Sequence, residues 1–150
     1  MSQIANITVY DGAATPVSHT LVAMSVTREK SKITAQWQEQ IASLPTEAQV
    51  RATATVEKLK SGVTKVELRV EVPVMESVSG NNAAGYTAAP KVAYIDTFIE
   101  SGYYHPRSNT AGRRLVRQLG LNLGGNISTS VAPATTGPIP ELFDMLVSPT

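Results

Sequence analysis

The side chains best able to do chemistry in this chain are few and scattered. His19 and His105 are the only histidines, and cysteine is absent. Ser18 directly precedes His19, an adjacency that is not a nucleophile–base geometry, and no third group is evident to orient the imidazole. Without cysteine there is no disulfide, no thiol nucleophile and no Cys-ligated zinc site. The acidic residues are spread along the chain rather than clustered. Gly80-Asn81-Asn82 resembles a phosphate loop only in composition, since the Gly-x-x-x-x-Gly-Lys-Ser/Thr pattern is missing and a strand, not a helix, is expected after it. These observations exclude an enzyme and imply neither cofactor nor metal.

What remains is charge arranged by strand period. Val50 to Lys58 sets Arg51, Thr53, Thr55 and Glu57 on one face and Ala52, Ala54 and Val56 on the other. Thr64 to Val74 sets Lys65, Glu67, Arg69 and Glu71 against Val66, Leu68, Val70 and Val72. Side chains alternate across a strand, so each segment has one wet and one buried side. Ser61-Gly62 between them permits a tight antiparallel connection.

The elements around this pair read as follows. Ile7 to Tyr10, the Asp11-Gly12 turn and the β-rich run Thr15 to Val26 predict an opening hairpin. Ile33 to Gln40, containing Trp37, reads as a short strand whose Gln and Glu residues also suit a helix, and Leu44-Pro45 ends it. Ser77 to Pro90 is a loop. Lys91 to Ile99 is a further strand, with Tyr94, Asp96 and Phe98 on one side. From Asn109 the period becomes helical: Leu115, Val116, Leu119 and Leu123 share a face, Ser108 or Asn109 can cap the start, and Gly124-Gly125 stops it. Arg113, Arg114 and Arg117 then read as a solvated or interface face. Asn126 to Gly137 is a linker, and Pro138 and Pro140 open a short helix with Leu142, Phe143 and Leu146 on one face. Strands followed by helices make an α+β fold.

The chain of 150 residues fits one domain, 1–150. Its apolar residues include one Trp and two Phe, enough for one thin core that association would help to stabilise. Thirteen basic residues against twelve acidic give a net charge of +1, so only a segregated basic face would attract nucleic acid. Met1 to Tyr10 lacks the n-region and apolar core of a signal peptide, and no stretch approaches the roughly 18 apolar residues of a membrane helix. A soluble protein made in a cytoplasm, with no membrane partner, is expected.

The order of these segments resembles the coat proteins of single-stranded RNA bacteriophages, the leviviruses. Val66-Glu67-Leu68-Arg69-Val70-Glu71-Val72-Pro73-Val74 is similar to the family's central strand, which ends in Val-Pro. The Trp37 segment, the Arg51 to Lys58 strand and the Tyr94 strand match in order and spacing. Ile4 to Val9 with Asp11-Gly12 and Ala14 to Val17 is similar to the opening of many members, and Gly137-Pro138-Ile139-Pro140 to the last helix region.

The resemblance implies an N-terminal β-hairpin, a five-stranded antiparallel sheet and two C-terminal helices that cross onto a second subunit in an interlocked dimer. It implies a homodimer that assembles into an icosahedral capsid, packages single-stranded genomic RNA, and forms virions in the cytoplasm of a bacterial host. RNA contacts would fall on Arg51, Thr53, Thr55, Lys65, Arg69 and Tyr94, where the family holds an RNA hairpin and acts as translational repressor. The competing view of these residues is an ordinary solvated face alternating charge for solubility. A non-viral dimeric RNA-binding regulator on the same sheet, or a pilus or surface-layer subunit, are the alternatives from other classes; particle formation separates the first of these from a capsid.

Overall fold

The computed structural model describes residues 3–77, 80, 83–89, 91–128, 132 and 134–150. Six antiparallel strands follow one another across a single sheet in chain order: β1 (Ile7–Tyr10), β2 (Ser18–Arg28), β3 (Lys32–Gln38), β4 (Arg51–Lys58), β5 (Thr64–Met75) and β6 (Val92–Tyr104). Helices α1 (Thr110–Gly125) and α2 (Pro138–Met145) come last.

The opening hairpin and the five-stranded sheet share a strand. The first half of β2 pairs with β1, from Tyr10 opposite Ser18 to Ile7 opposite Leu21, and the second half pairs with β3. The register shifts between Ala23 and Ser25 where the partner changes, and such a bulge bends the strand that carries it. At the hairpin tip the Asp11 carboxylate accepts hydrogen bonds from the Ala13 and Val17 amides at 3.0 and 3.1 Å, and Gly12 takes the positive φ that a side chain would resist.

Trp37 settles the ambiguity of its segment. It lies on β3, 1% exposed, and its indole donates to the Ala5 carbonyl at 2.8 Å. The alternating alanines Ala35, Ala52 and Ala54 on β3 and β4 are all buried around it, and their small size leaves room for the rings of Trp37 and Phe143. The connection from β3 to β4 is closed by one side chain: Gln49 donates to the Ile41 and Leu44 carbonyls and accepts from the Ile41 amide.

Asn109 caps α1, its side-chain oxygen accepting from the Gly112 amide at 2.7 Å. The helix runs through Gly124 to Gly125, and Asn126 in the left-handed region ends it. Helix α2 starts on Pro138 and places Leu142 and Phe143 in the core.

Two expectations need correction. Strand β6 continues to Tyr104 instead of ending near Ile99; Ser101 and Gly102 are poor strand formers taken singly, but pairing with Glu67 and Val66 of β5 holds them extended. For Arg113, Arg114 and Arg117 the solvated alternative falls and the interface one stands: they grip α2 at Asp144. Of the Ser77–Pro90 loop and the Asn126–Gly137 linker, residues 78, 79, 81, 82, 90, 129–131 and 133 lie outside the described residues, Asn81 and Asn82 among them.

Candidate functional site

Strand register turns the wet side of the sheet into a grid. Reading across β3, β4, β5 and β6, one row holds Lys32, Glu57, Lys65 and Tyr103, and the next holds Thr34, Thr55, Glu67 and Ser101. The third row is Gln36, Thr53, Arg69 and Ile99, and the fourth Gln38, Arg51, Glu71 and Thr97. Neighbouring strands lie about 4.8 Å apart and successive rows about 6.8 Å apart. Arg51, Thr53, Thr55, Lys65 and Arg69 therefore form one surface, as expected. Tyr94 does not join them: it pairs with Val74, on the side of Val66, Leu68, Val70 and Val72. The aromatic ring on the wet face is Tyr103, which lies beyond the strand end read from the sequence.

The charges on this face are not equivalent. The Lys65 ammonium meets the Glu67 carboxylate at 2.6 Å and lies 6.0 Å from the centroid of the Tyr103 ring. Hydrogen bonding to one another raises the Lys65 pKa and lowers that of Glu67, each favouring its ionised form. Arg51 donates weakly to the Glu47 carbonyl at 3.4 Å. Arg69 is exposed and, among the described residues, makes neither hydrogen bond nor ion pair. Hydroxyls and amides fill many of the remaining positions, Ser25 donating to Gln36 at 3.2 Å. Arg69 thus stands uncommitted among groups that form hydrogen bonds readily.

The opposite side is apolar and incompletely covered. Helix α2 lies on β4 and β5, but α1 buries none of its residues: Leu115, Val116, Leu119 and Leu123 are all more than half exposed. Beneath the hairpin an apolar groove of about 370 Å³ is lined by Ile7, Val9, Leu21, Leu68, Val70 and Val72, among others. A second gap of about 520 Å³ separates β6 from α1, with Phe98 and Glu100 on its β6 wall. Thirteen-residue β6 is the last strand of the sheet, and among the described residues its outer edge has no partner strand.

The polar face of α1 has a specific task. Asp144 of α2 is fully buried, and its carboxylate accepts from Arg114 Nε at 2.7 Å and lies 3.2 Å from Arg117 Nη2. Arg113 Nε donates to the Asp144 carbonyl at 2.6 Å while its Nη1 donates to the Ser108 carbonyl and hydroxyl. The arginines thus lock α1 to α2 by its polar face, which turns the leucine stripe away from the chain's own core.

Comparison with known proteins agrees with this architecture. The levivirus coat protein family matches residues 2–135. The structure is similar to the virus-like particle of bacteriophage EMS014, with a TM-score of 0.71 and 26% identity over 98% of this chain and 99% of that one. The virus-like particle of bacteriophage ESE058 gives a TM-score of 0.71 at 18% identity, covering 97% and 98% of the two chains. That of bacteriophage NT-214 gives 0.68 at 23% identity, covering 98% of each. No curated protein matches the sequence. With a family match over most of its length and this α+β fold, the chain belongs to the levivirus coat proteins: it is a structural protein of bacteriophage capsids, not an enzyme.

Proposed function

We propose that this coat protein works as an interlocked dimer that closes into an icosahedral shell around single-stranded RNA. The observation that carries the reading is helix α1, an amphipathic helix of 16 residues with no buried side chain. An exposed aliphatic stripe beside a long open strand edge is an aggregation hazard unless a partner covers both. A second copy does so with two-fold symmetry, β6 pairing with β6 and each α1 seated in the apolar groove under the other subunit's hairpin. The groove lining is mostly aliphatic, with Tyr10, Asp11 and His19 the exceptions, and matches the stripe in chemistry.

Pairing through β6 joins two wet faces into one continuous surface, on which Arg69, Arg51, Lys65 and the hydroxyls of Thr53 and Thr55 meet RNA. Cations supply sequence-independent affinity, and the Tyr103 ring offers a base-stacking platform. The mutual neutralisation of Lys65 and Glu67 favours general packaging over tight recognition of one hairpin. Assembly in a bacterial cytoplasm suits a chain with no cysteine to cross-link.

Expression of the full chain, followed by sizing chromatography and electron microscopy, tests the shell: closed particles containing RNA are expected, and a species never larger than a dimer under any salt or RNA condition would overturn it. Arg69→Ala should lower encapsidated RNA and reduce the salt dependence of RNA binding by about 0.7 for each phosphate no longer neutralised, with the dimer intact. Unchanged RNA content and salt response would remove the sheet face from the reading.

A further inference from the structure

Strand β6 keeps two carboxylates on the side of the sheet where the helices lie. Register with β5 sets Asp96 opposite Val72 and Glu100 opposite Leu68, with Phe98 between them opposite Val70. All three β5 partners are aliphatic, so β5 offers neither acid a charge or a side-chain donor. Asp96 is exposed and forms no ion pair among the described residues. Glu100 is half-buried and shares the gap beneath α1 with Arg117. The other titratable groups around the two acids are Tyr94 and Tyr104, on the same side of β6, and Asp144 on α2. Arg113, Arg114 and Arg117 are already committed to Asp144. What pairs with the open edge of β6 therefore decides the charge these acids carry.

In an antiparallel pair related by a two-fold axis, one residue lies opposite its own copy and the others pair symmetrically about it. Strand β6 runs over thirteen residues, Val92–Tyr104, so every residue finds a partner only when the axis passes at Phe98; moving it by one residue costs two rungs. That register also brings together the two Phe98 rings, each 66% exposed in the single subunit. Asp96 then stands opposite the partner's Glu100, and Glu100 opposite the partner's Asp96. We infer that Asp96 and the partner's Glu100 form a carboxyl–carboxylate pair, twice per dimer, which makes the pairing of subunits depend on protons. The inference rests on the dimer proposed above and adds a regulation of that same interface. Side chains directly opposite have Cβ atoms about 4.5–5.5 Å apart, and like charges there are destabilising. One proton taken from solvent and shared between the two replaces the repulsion with an O–H···O hydrogen bond. Burial already pushes the Glu100 carboxyl up within the subunit, against the pull of Arg117, which suits Glu100 to hold that proton. The dimer then binds more protons than two separate subunits do. Pairing strengthens as pH falls and weakens as pH rises through the value at which the pair loses its proton.

The test is the dimer dissociation constant of the full chain between pH about 5 and about 8, a range that starts above the ordinary carboxyl values. It is read from dilution series in sizing chromatography, at concentrations too low for shells, for the parent, Asp96→Asn, Glu100→Gln and Asp96→Lys. With one proton in each of two pairs, the parent's dissociation constant should rise with pH, by up to about 100-fold per pH unit. Asp96→Asn and Glu100→Gln each put an amide donor in place of the shared proton. Both should flatten that dependence and, at pH about 8, dimerise about tenfold or more tighter than the parent. Asp96→Lys, at an exposed position, sets an ammonium against the partner's Glu100 and should hold the dimer together at pH about 8. If the parent's dissociation constant ignores pH, or Asp96→Asn keeps the parent's pH dependence, the carboxyl pair is overturned and the dimer stands. Flattening by Glu100→Gln alone would tie the proton to Glu100 and Arg117 of one subunit and overturn the pair as well. A parent that stays monomeric at every pH and concentration would overturn both the pair and the dimer.

Discussion

Helices α1 and α2 carry similar amphipathic patterns and meet opposite fates. Helix α2 is half as long, yet Leu142, Phe143 and Asp144 are all within 2% of complete burial. Helix α1 has more aliphatic residues and buries none. The difference lies in what each can reach. The short helix lies on β4 and β5 and packs Leu142 and Phe143 into the core with Ala52, Ala54 and Val66. The longer one is held at arm's length by its own arginines, which pair with a carboxylate on α2 and so aim the stripe outward. Burial of a leucine is worth about 1.5–3 kcal/mol, so the exposed stripe represents a large stabilisation that the single subunit forgoes and that the proposed dimer would recover.

The largest expected effect separates the two helices directly. Phe143→Ala should cost about 3–5 kcal/mol in denaturant unfolding, the range for truncating a buried ring. Leu119→Ala should leave the stability of the diluted, dissociated chain within about 0.5 kcal/mol of the parent, while raising the concentration at which dimers come apart in sizing chromatography. Should Leu119→Ala weaken the dissociated chain as much as Phe143→Ala, α1 would be a core helix of its own subunit and the contrast between the helices would collapse.

A smaller effect sharpens the role of the clamp. Asp144→Asn keeps the shape but removes the charge facing Arg114 and Arg117, costing about 2–3 kcal/mol by the usual strength of hydrogen bonds to charged groups. Hydrogen exchange should then accelerate in the α1 amides while α2 keeps its protection, because Leu142 and Phe143 still hold α2 to the sheet. Equal acceleration in both helices would mean that Asp144 supports the core and does not orient α1.

The clamp also marks where the sequence stops being legible. Strands β4 and β5 can be read from alternation alone, because Ala52, Ala54 and Val66 face a core of the same chain and Arg51, Thr53 and Arg69 do not. Strand β6 defeats that reading. Both of its sides are exposed in the subunit, Tyr94 and Phe98 on one and Ile95 and Ile99 on the other, so no contrast of polarity says which side is wet; only the register with β5 places Tyr94 opposite Val74. The arginines of α1 escape it for a related reason. Their partner lies about thirty residues away on another helix, and local periodicity contains no information about a pairing made through tertiary structure.

The smallest expected effect concerns the gap between α1 and β6, which exists because α1 stands off from its own sheet. Glu100 lies in that gap, and burial pushes its carboxyl above the usual glutamate range, with the positive charge of Arg117 pulling it part of the way back. A carboxyl with a raised folded-state pKa holds its proton to higher pH in the folded chain than in the unfolded one. Stability therefore declines as pH rises from the unfolded value towards the folded one, and the full penalty is in place above both. Glu100→Gln removes the penalty, so it should raise the thermal midpoint at pH about 7 and have little effect below the unfolded glutamate pKa of about 4.3. Glu67 supplies the mirror image: Lys65 holds its carboxyl below the usual range, so Glu67→Gln should lower the midpoint at neutral pH, an effect that disappears as pH falls through the folded value. A gain for Glu100→Gln that persisted unchanged in acid would show that the glutamate matters for its shape and not its charge, and that α1 closes over β6 more tightly than this gap implies.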